Sequence, residues 1–189
     1  MTAYADIAVA VLAAGQGRRF GSDKLMADLD GTPMGLRIAQ TLKQIPFGWR
    51  FAVCSKGAAL VHHFSALGFQ VVVNDNPETG QAHSLHLVVE AAYTTEAKAL
   101  LVVLADMPFV TKCHIEKLVA AGDGIVASTC GENPMPPAFF PRDVWPEMLK
   151  TSGDAGARGL LQTASLVVAT LSELHDIDVP ADLPDTPRR

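Results

Sequence analysis

Cysteine is scarce in this chain: Cys54, Cys113 and Cys130 stand far apart, with no CxxC spacing among them. That argues against a disulfide framework and against a zinc knot, and leaves the three thiols as small hydrophobes. An excess of basic residues is also missing, because the formal net charge is −5. An acidic balance excludes a protein that grips nucleic acid through its whole surface, although a local basic site for a small anion remains compatible with it. No apolar stretch approaches the roughly 18 residues of a membrane span. The opening MTAYADIAVAVLAAG lacks a basic start and runs straight into a loop of glycine and arginine, so it reads as a buried strand and not as a signal peptide. The expectation is a cytoplasmic protein with neither nucleic acid nor membrane as partner.

Hydrophobic side chains are plentiful, at 49% of 189 residues against 19% charged. That is enough for one domain with a proper core. Apolar runs of strand length recur at 7–12, 51–54, 71–73, 100–104, 125–127 and 166–169. Helix-like spacing fills 35–44, 58–67, 82–93 and 112–121 between them. This alternation predicts an α/β fold, a single domain with a Rossmann-like, mostly parallel sheet and helices on both faces. Near-continuous apolar strands such as LLVVL fit a sheet covered on both sides. After Thr129 the run CGENPMPPAFFP carries four prolines, which predicts a loop entering a short edge strand at 138–140. Two helices are expected after it, around 143–150 and opening at 153–158. Residues 1–110 would form a nucleotide-binding half, 111–183 an acceptor-binding half and 184–189 a frayed tail.

In doubly wound sheets the ligand lies beyond the carboxyl ends of the strands. The first such end carries Leu12, Ala13, Ala14, Gly15, Gln16, Gly17, Arg18, Arg19, Phe20, Gly21, Ser22, Asp23 and Lys24. Gly15, Gly17 and Gly21 let backbone N–H groups approach a phosphate, and Arg18, Arg19 and Lys24 add positive charge to the same loop. A dinucleotide fingerprint is disfavoured by the four-residue interval from Gly17 to Gly21. It is also disfavoured by the second strand, which ends Cys54, Ser55, Lys56 with no acid to hold a ribose. A P-loop is excluded because Lys24 is followed by Leu25 and not by Ser or Thr. A nucleoside triphosphate is the ligand this loop suits.

Asp106 ends the strand LLVVL, where a carboxylate would be offered to Mg²⁺. Taken alone it serves equally well as a helix cap, since Pro108 and Thr111 announce a helix start. The late run His175 to Asp182 holds three aspartates and supplies a second carboxylate for a metal-bridged triphosphate.

These segments together resemble the MobA-like nucleotidyltransferases, and within them the molybdenum cofactor cytidylyltransferase branch. The family opening LAAG followed by x-[SG]-x-R-[MF]-G-x-x-K is matched by Leu12 to Gly15, Gly17, Arg19, Phe20, Gly21 and Lys24. The family's Asn, Gly and Ser-Leu landmarks are matched by Asn76, Gly80, Ser84 and Leu85, its LADMP by Leu104 to Pro108, and its DID[TV]P by Asp176 to Pro180. The run Gly153 to Arg158 is similar to the GDxGAR segment of the cytidylyl and purine-catabolism members. Two departures stand out: Asn133 to Pro137 lacks the usual histidine before proline, and Val88 to Glu90 lacks a glycine.

The resemblance implies a nucleotide-diphospho-sugar transferase-like fold and a Mg²⁺-dependent enzyme. It makes Asp106 and Asp178 the metal ligands, and Arg19 and Lys24 the catalytic cations on the β- and γ-phosphates. The nucleotide would lie on Leu12, Ala13, Ala14, Gly15, Gly17, Arg19, Gly21, Lys24, Asn76, Gly80 and Ser84. Relatives with LAAG use CTP and those with LAGG use GTP, so Ala14 favours CTP. The acceptor implied is a molybdopterin-type phosphate, and the product would pass to a molybdenum hydroxylase apoenzyme. Alternatives are GTP or sugar-phosphate transfer on the same fold, and a non-catalytic molybdenum cofactor chaperone. The intact carboxylates and cations speak against the chaperone.

Overall fold

The computed structural model describes residues 2–15, 20 and 23–183. In chain order the strands are β1 (Ile7–Ala13), β2 (Asp28–Leu29), β3 (Thr32–Pro33), β4 (Trp49–Ser55), β5 (Gln70–Asn74), β6 (Ala99–Leu104), β7 (Val126–Thr129), β8 (Met135–Pro141) and β9 (Ser165–Val168). The helices are α1 (Met34–Lys43), α2 (Val61–Ala66), α3 (Gln81–Tyr93), α4 (Lys112–Ala120), α5 (Trp145–Met148) and α6 (Arg158–Leu161). The seven long strands make one sheet in the order β5-β4-β1-β6-β8-β7-β9, and β2 and β3 form a separate hairpin. The fold is a single α/β domain with a mostly parallel sheet: β5, β4, β1 and β6 are parallel, and β8 runs against both β6 and β7. The expected tail at 184–189 lies outside the described residues.

All seven residues of β1 are buried, and their alternation divides the core. Ile7, Val9 and Val11 pack with Ile38 and Leu42 of α1, Phe64 of α2 and Ile115 and Leu118 of α4. Ala8, Ala10 and Leu12 face the opposite way, toward Leu85 and Val89 of α3, Trp145 of α5 and Leu161 of α6. Both faces are therefore covered, which is why these strands need no polar alternation. Among the described residues no helix is long and apolar enough to cross a membrane.

The proline-rich strand corrects the sequence expectation. β8 covers Met135–Pro141 and lies inside the sheet between β6 and β7, not at an edge. Prolines are tolerated there because the register with β7 slips between Ala127 and Ser128, so that Ala127 faces Ala138 while Ser128 faces Met135. Pro136 and Pro137, joined by a cis peptide bond, fall inside that irregularity, where no ladder N–H is required. Toward β6 the ladder begins only at Ala138.

Candidate functional site at the strand ends

β1 lies between β4 and β6 with Leu12 opposite Leu104; from β1 the chain goes on to β4 and β5 on one side, and from β6 to β7 and β8 on the other. A crevice at such a switch point is where α/β sheets hold ligands. The Ala105 N–H donates to the Leu12 carbonyl (3.0 Å), and the Ser55 hydroxyl donates to the Ala14 carbonyl (3.2 Å). The ends of β1, β4 and β6 are thereby fastened together. A cavity of about 500 Å³ opens over them, a volume in the range of small-molecule sites.

Its walls include Leu12, Ala13, Ala14, Gly15, Lys24, Gly80, Ser84, Asp106 and Asp178, all marked by the sequence. Gly17, Arg19 and Gly21 lie outside the described residues. Asn76 is exposed and is not in this wall; its backbone N–H donates to the side-chain oxygen of Asn74 (2.8 Å). Asn74 is fully buried, and its amide donates to the Ser84 hydroxyl (2.9 Å), tying the end of β5 to the first turn of α3. Sequence reasoning passed over Asn74, although a polar residue closing the run VVVN at a strand end is the kind of signal that singled out Asp106. Gln81 and Asp154 in the cavity wall were likewise given no role.

At the floor three charged groups converge. The Lys24 ammonium, only 7% exposed, donates to Asp106 Oδ2 (3.0 Å) and to Asp178 Oδ1 (2.7 Å). Lys24 begins a 3-10 turn, Lys24–Met26, capped by the Asp23 side chain. Asp178 arrives from the far end of the chain because Ile177 before it is anchored. Ile177 is fully buried against Leu29 and Met34, and its N–H donates to the Asp106 carbonyl (3.0 Å). Burying such a side chain is worth roughly 1.5–3 kcal/mol, enough to hold a segment that has no strand or helix of its own. The other aspartates of that run act differently: Asp182 accepts from the N–H groups of Asp178 and Val179, which lowers its pKa. Asp106 is not a helix cap, since α4 starts at Lys112 and is capped by the hydroxyl of Thr111, five residues after Asp106.

Burial raises the Asp106 carboxyl above its usual range, Lys24 pulls it back, and the charge of Asp176 adds to the rise. Burial works to lower the Lys24 pKa, but Asp106 and Asp178 outweigh it and leave it above its ordinary value. The second oxygen of Asp106, Oδ1, is buried and accepts no hydrogen bond from the described residues. A buried carboxylate oxygen without a partner asks for a cation or a donor. Among the described residues no group of three His, Cys, Asp or Glu side chains forms a metal cage. Two carboxylates facing the cavity suit a divalent cation that keeps part of its water shell, without an all-protein cage.

α3 meets this cavity at Gly80, which has φ +99° and closes against the Gly153–Ala155 turn. A Cβ on Gly80 would stand 2.6 Å from the Gly153 carbonyl carbon and 2.8 Å from Asp154 Oδ1. Only glycine permits that approach.

Fold and site together define a nucleotidyltransferase. The chain belongs to the MobA-like NTP transferase domain family, whose model matches residues 9–170. The purine catabolism protein PucB of Bacillus subtilis (strain 168) is 30% identical over 186 residues, covering 90% of this chain and 91% of that protein. Among solved structures, Rv0371c of Mycobacterium tuberculosis H37Rv superposes with a TM-score of 0.82 at 25% identity, covering 96% of each chain. The same mycobacterial protein in complex with manganese gives 0.71 at 23% identity, over 94% of this chain and 92% of that one. Molybdopterin-guanine dinucleotide biosynthesis protein A of Archaeoglobus fulgidus gives 0.65 at 22% identity, over 94% and 92%.

Proposed function

We propose that this nucleotidyltransferase moves CMP from CTP to the phosphate of molybdenum-bound molybdopterin, releasing pyrophosphate. The observation that carries the site assignment is the convergence of Lys24, Asp106 and Asp178 on the floor of a cavity walled by Leu12 to Gly15. An oxygen of the acceptor phosphate attacks the α-phosphorus, and the bond to the β-phosphate oxygen breaks. No general base is required, because that phosphate is already ionised at neutral pH. The protein's work is then to align the two substrates and to offset charge growing on the leaving pyrophosphate.

Asp106 and Asp178 would hold Mg²⁺, and the unpartnered Oδ1 of Asp106 supports that fit. When bound, the metal would neutralise charge on the phosphates as a Lewis acid. Lys24 would bind the β- and γ-phosphates together with Arg19, while Gly15, Gly17, Gly21, Gly80 and Ser84 shape the bed for the nucleotide. The manganese complex of Rv0371c is in keeping with a divalent ion.

Ala14 is 4% exposed in the cavity wall, so its methyl group takes space that glycine would leave open. A narrower floor favours cytosine over guanine. PucB's purine-catabolism name fits an enzyme whose product, a cytosine dinucleotide cofactor, goes to a molybdenum hydroxylase apoenzyme. The test is pyrophosphate release from CTP, GTP and ATP with Mg²⁺ and molybdopterin. CTP is expected to be the best donor, and Ala14→Gly to shift the CTP-to-GTP ratio toward GTP by about tenfold, an energy of about 1.4 kcal/mol. Release with GTP alone would overturn the base assignment.

A further inference from the structure

Asn74 closes β5 and is fully buried. A backbone N–H can only donate, so the bond from the Asn76 N–H (2.8 Å) fixes the Asn74 side-chain atom it meets as the carbonyl oxygen. The amide nitrogen therefore lies on the other side, 2.9 Å from Ser84 Oγ. An amide nitrogen donates and does not accept, so Ser84 is the acceptor in that contact and its own proton has to be given elsewhere. Two other helical hydroxyls in this chain turn back on the preceding turn: Thr41 donates to the Arg37 carbonyl (3.4 Å) and Ser65 to the Val61 carbonyl (3.1 Å). Ser84 stands four residues after Gly80, yet among the described residues its hydroxyl donates to no carbonyl. Ser84 is 6% exposed and lines the first cavity, so a ligand in that cavity can supply the missing acceptor.

We infer that Asn74 is a positioning residue: by donating to Ser84 it holds that hydroxyl as a hydrogen-bond donor to an acceptor atom of the bound nucleoside. The inference rests on the proposal that this cavity holds the nucleotide. In that reading the phosphates lie with Lys24, Asp106 and Asp178, at the end of β6. In the order β5-β4-β1-β6 the end of β5 is three strand spacings away, about 14 Å. Asn74 and Ser84 thus serve the base and ribose, where a ring nitrogen, a base carbonyl or a ribose oxygen completes the hydroxyl's bonding. Asn74 is not in the cavity wall, so its influence on the ligand passes through Ser84.

Calorimetry of CTP binding in Mg²⁺ tests this with a cycle of four proteins: wild type, Asn74→Leu, Ser84→Ala and the double variant. Asn74→Leu frees the Ser84 hydroxyl to turn back on the Gly80 carbonyl, and is expected to weaken CTP about three- to tenfold, the value of one neutral hydrogen bond. Ser84→Ala should weaken it by a similar factor and the double variant no further, because both changes remove the same contact. Asn74→Asp supplies a rescue that a merely structural role does not predict. Its protonated carboxyl still donates to Ser84 and accepts from Asn76, so it should bind CTP like the wild type in acid. Once ionised it accepts from both and draws the hydroxyl proton away from the cavity, so the loss should grow as pH rises, and only where Ser84 is present. Lys56 and Asp75, which pair at 3.4 Å beside the end of β5, and His83 next to Ser84 are common to every variant, so their charges cancel in the ratio to the matching background. Losses that add in both cycles, or an Asn74→Asp that matches the wild type at every pH, would overturn the inference. Failure of the wider proposal reads differently: the wild-type protein then takes up no CTP at all.

Discussion

Replacing Lys24 by methionine keeps an unbranched side chain through the Cε position and removes the ammonium, which makes it the sharpest probe of the floor. The ammonium contacts Asp106 at 3.0 Å and Asp178 at 2.7 Å, and it is itself buried. Removing one partner of a buried pair typically costs about 3–5 kcal/mol because it strands the other charge. Asp178 is half-exposed and Asp106 can relieve itself by taking up a proton, so the low end of about 3 kcal/mol applies here. For a domain of this size that corresponds to a fall in Tm of roughly 6–12 °C. A dication should replace the missing ammonium between the two carboxylates. Mn²⁺ at about 100 times its dissociation constant would restore about 2.7 kcal/mol. Thermal melts of both proteins, with and without Mn²⁺, check this: the ion should stabilise Lys24→Met more than the wild type. The pH dependence has a definite sign. Lys24's folded pKa is raised, so the wild-type advantage is present below its ordinary value of 10.5 and is lost as pH rises through the folded value. Equal Mn²⁺ stabilisation of the two proteins, or an unchanged Tm in the variant, would refute the reasoning.

Ile177→Ala should cost about 2–5 kcal/mol through the cavity left beside Leu29 and Met34. Hydrogen exchange should then speed up across 176–183, since the Ile177 N–H bond to Asp106 is what pins that segment. His114 is buried, and its ring donates from Nε2 to the Ser128 hydroxyl (2.7 Å), which in turn donates to the Pro137 carbonyl (2.8 Å). Burial lowers its pKa, Glu173 opposes that and Lys117 adds to it. The stability that the neutral ring contributes is therefore present above 6.5 and lost as pH falls through the depressed folded value. Denaturant melts across pH 4 to 8, a window set about the ordinary histidine value, should show His114→Gln losing less stability in acid than the wild type; equal acid sensitivity would remove His114 from the account.

The parts of this molecule that were legible in the sequence are those fixed by local pattern. β1 and β6 read as buried strands because both their faces meet helices, and the place of Asp106 followed from the strand that ends there. The lengths of α1, α3 and α4 followed from apolar spacing, whereas α2, α5 and α6 are shorter than the spacing suggests. β8 was misplaced because prolines argue against an interior strand unless a register slip accommodates them, and the slip depends on β7, a separate segment. The β2-β3 hairpin went unread although Asp30 and Gly31, both at positive φ, form the two-residue turn that favours it.

Lys24 shows a further limit, one of chemistry and not of pattern. Its position in a glycine-rich loop marked it for phosphate, and its spacing says nothing of carboxylates that lie 82 and 154 residues away. Those contacts exist because Ile177 is buried in a small cluster assembled from the β2-β3 hairpin, the start of α1 and the C-terminal segment. The same packing that places Asp178 also buries the lysine it neutralises. A loop read as a cradle for anions and a pair of acids read as a seat for a cation are therefore one electrostatic unit. The protein's own lysine offsets one of the two carboxylate charges, and any ligand that enters must offer that lysine and those acids at least as good a partner as they already give one another.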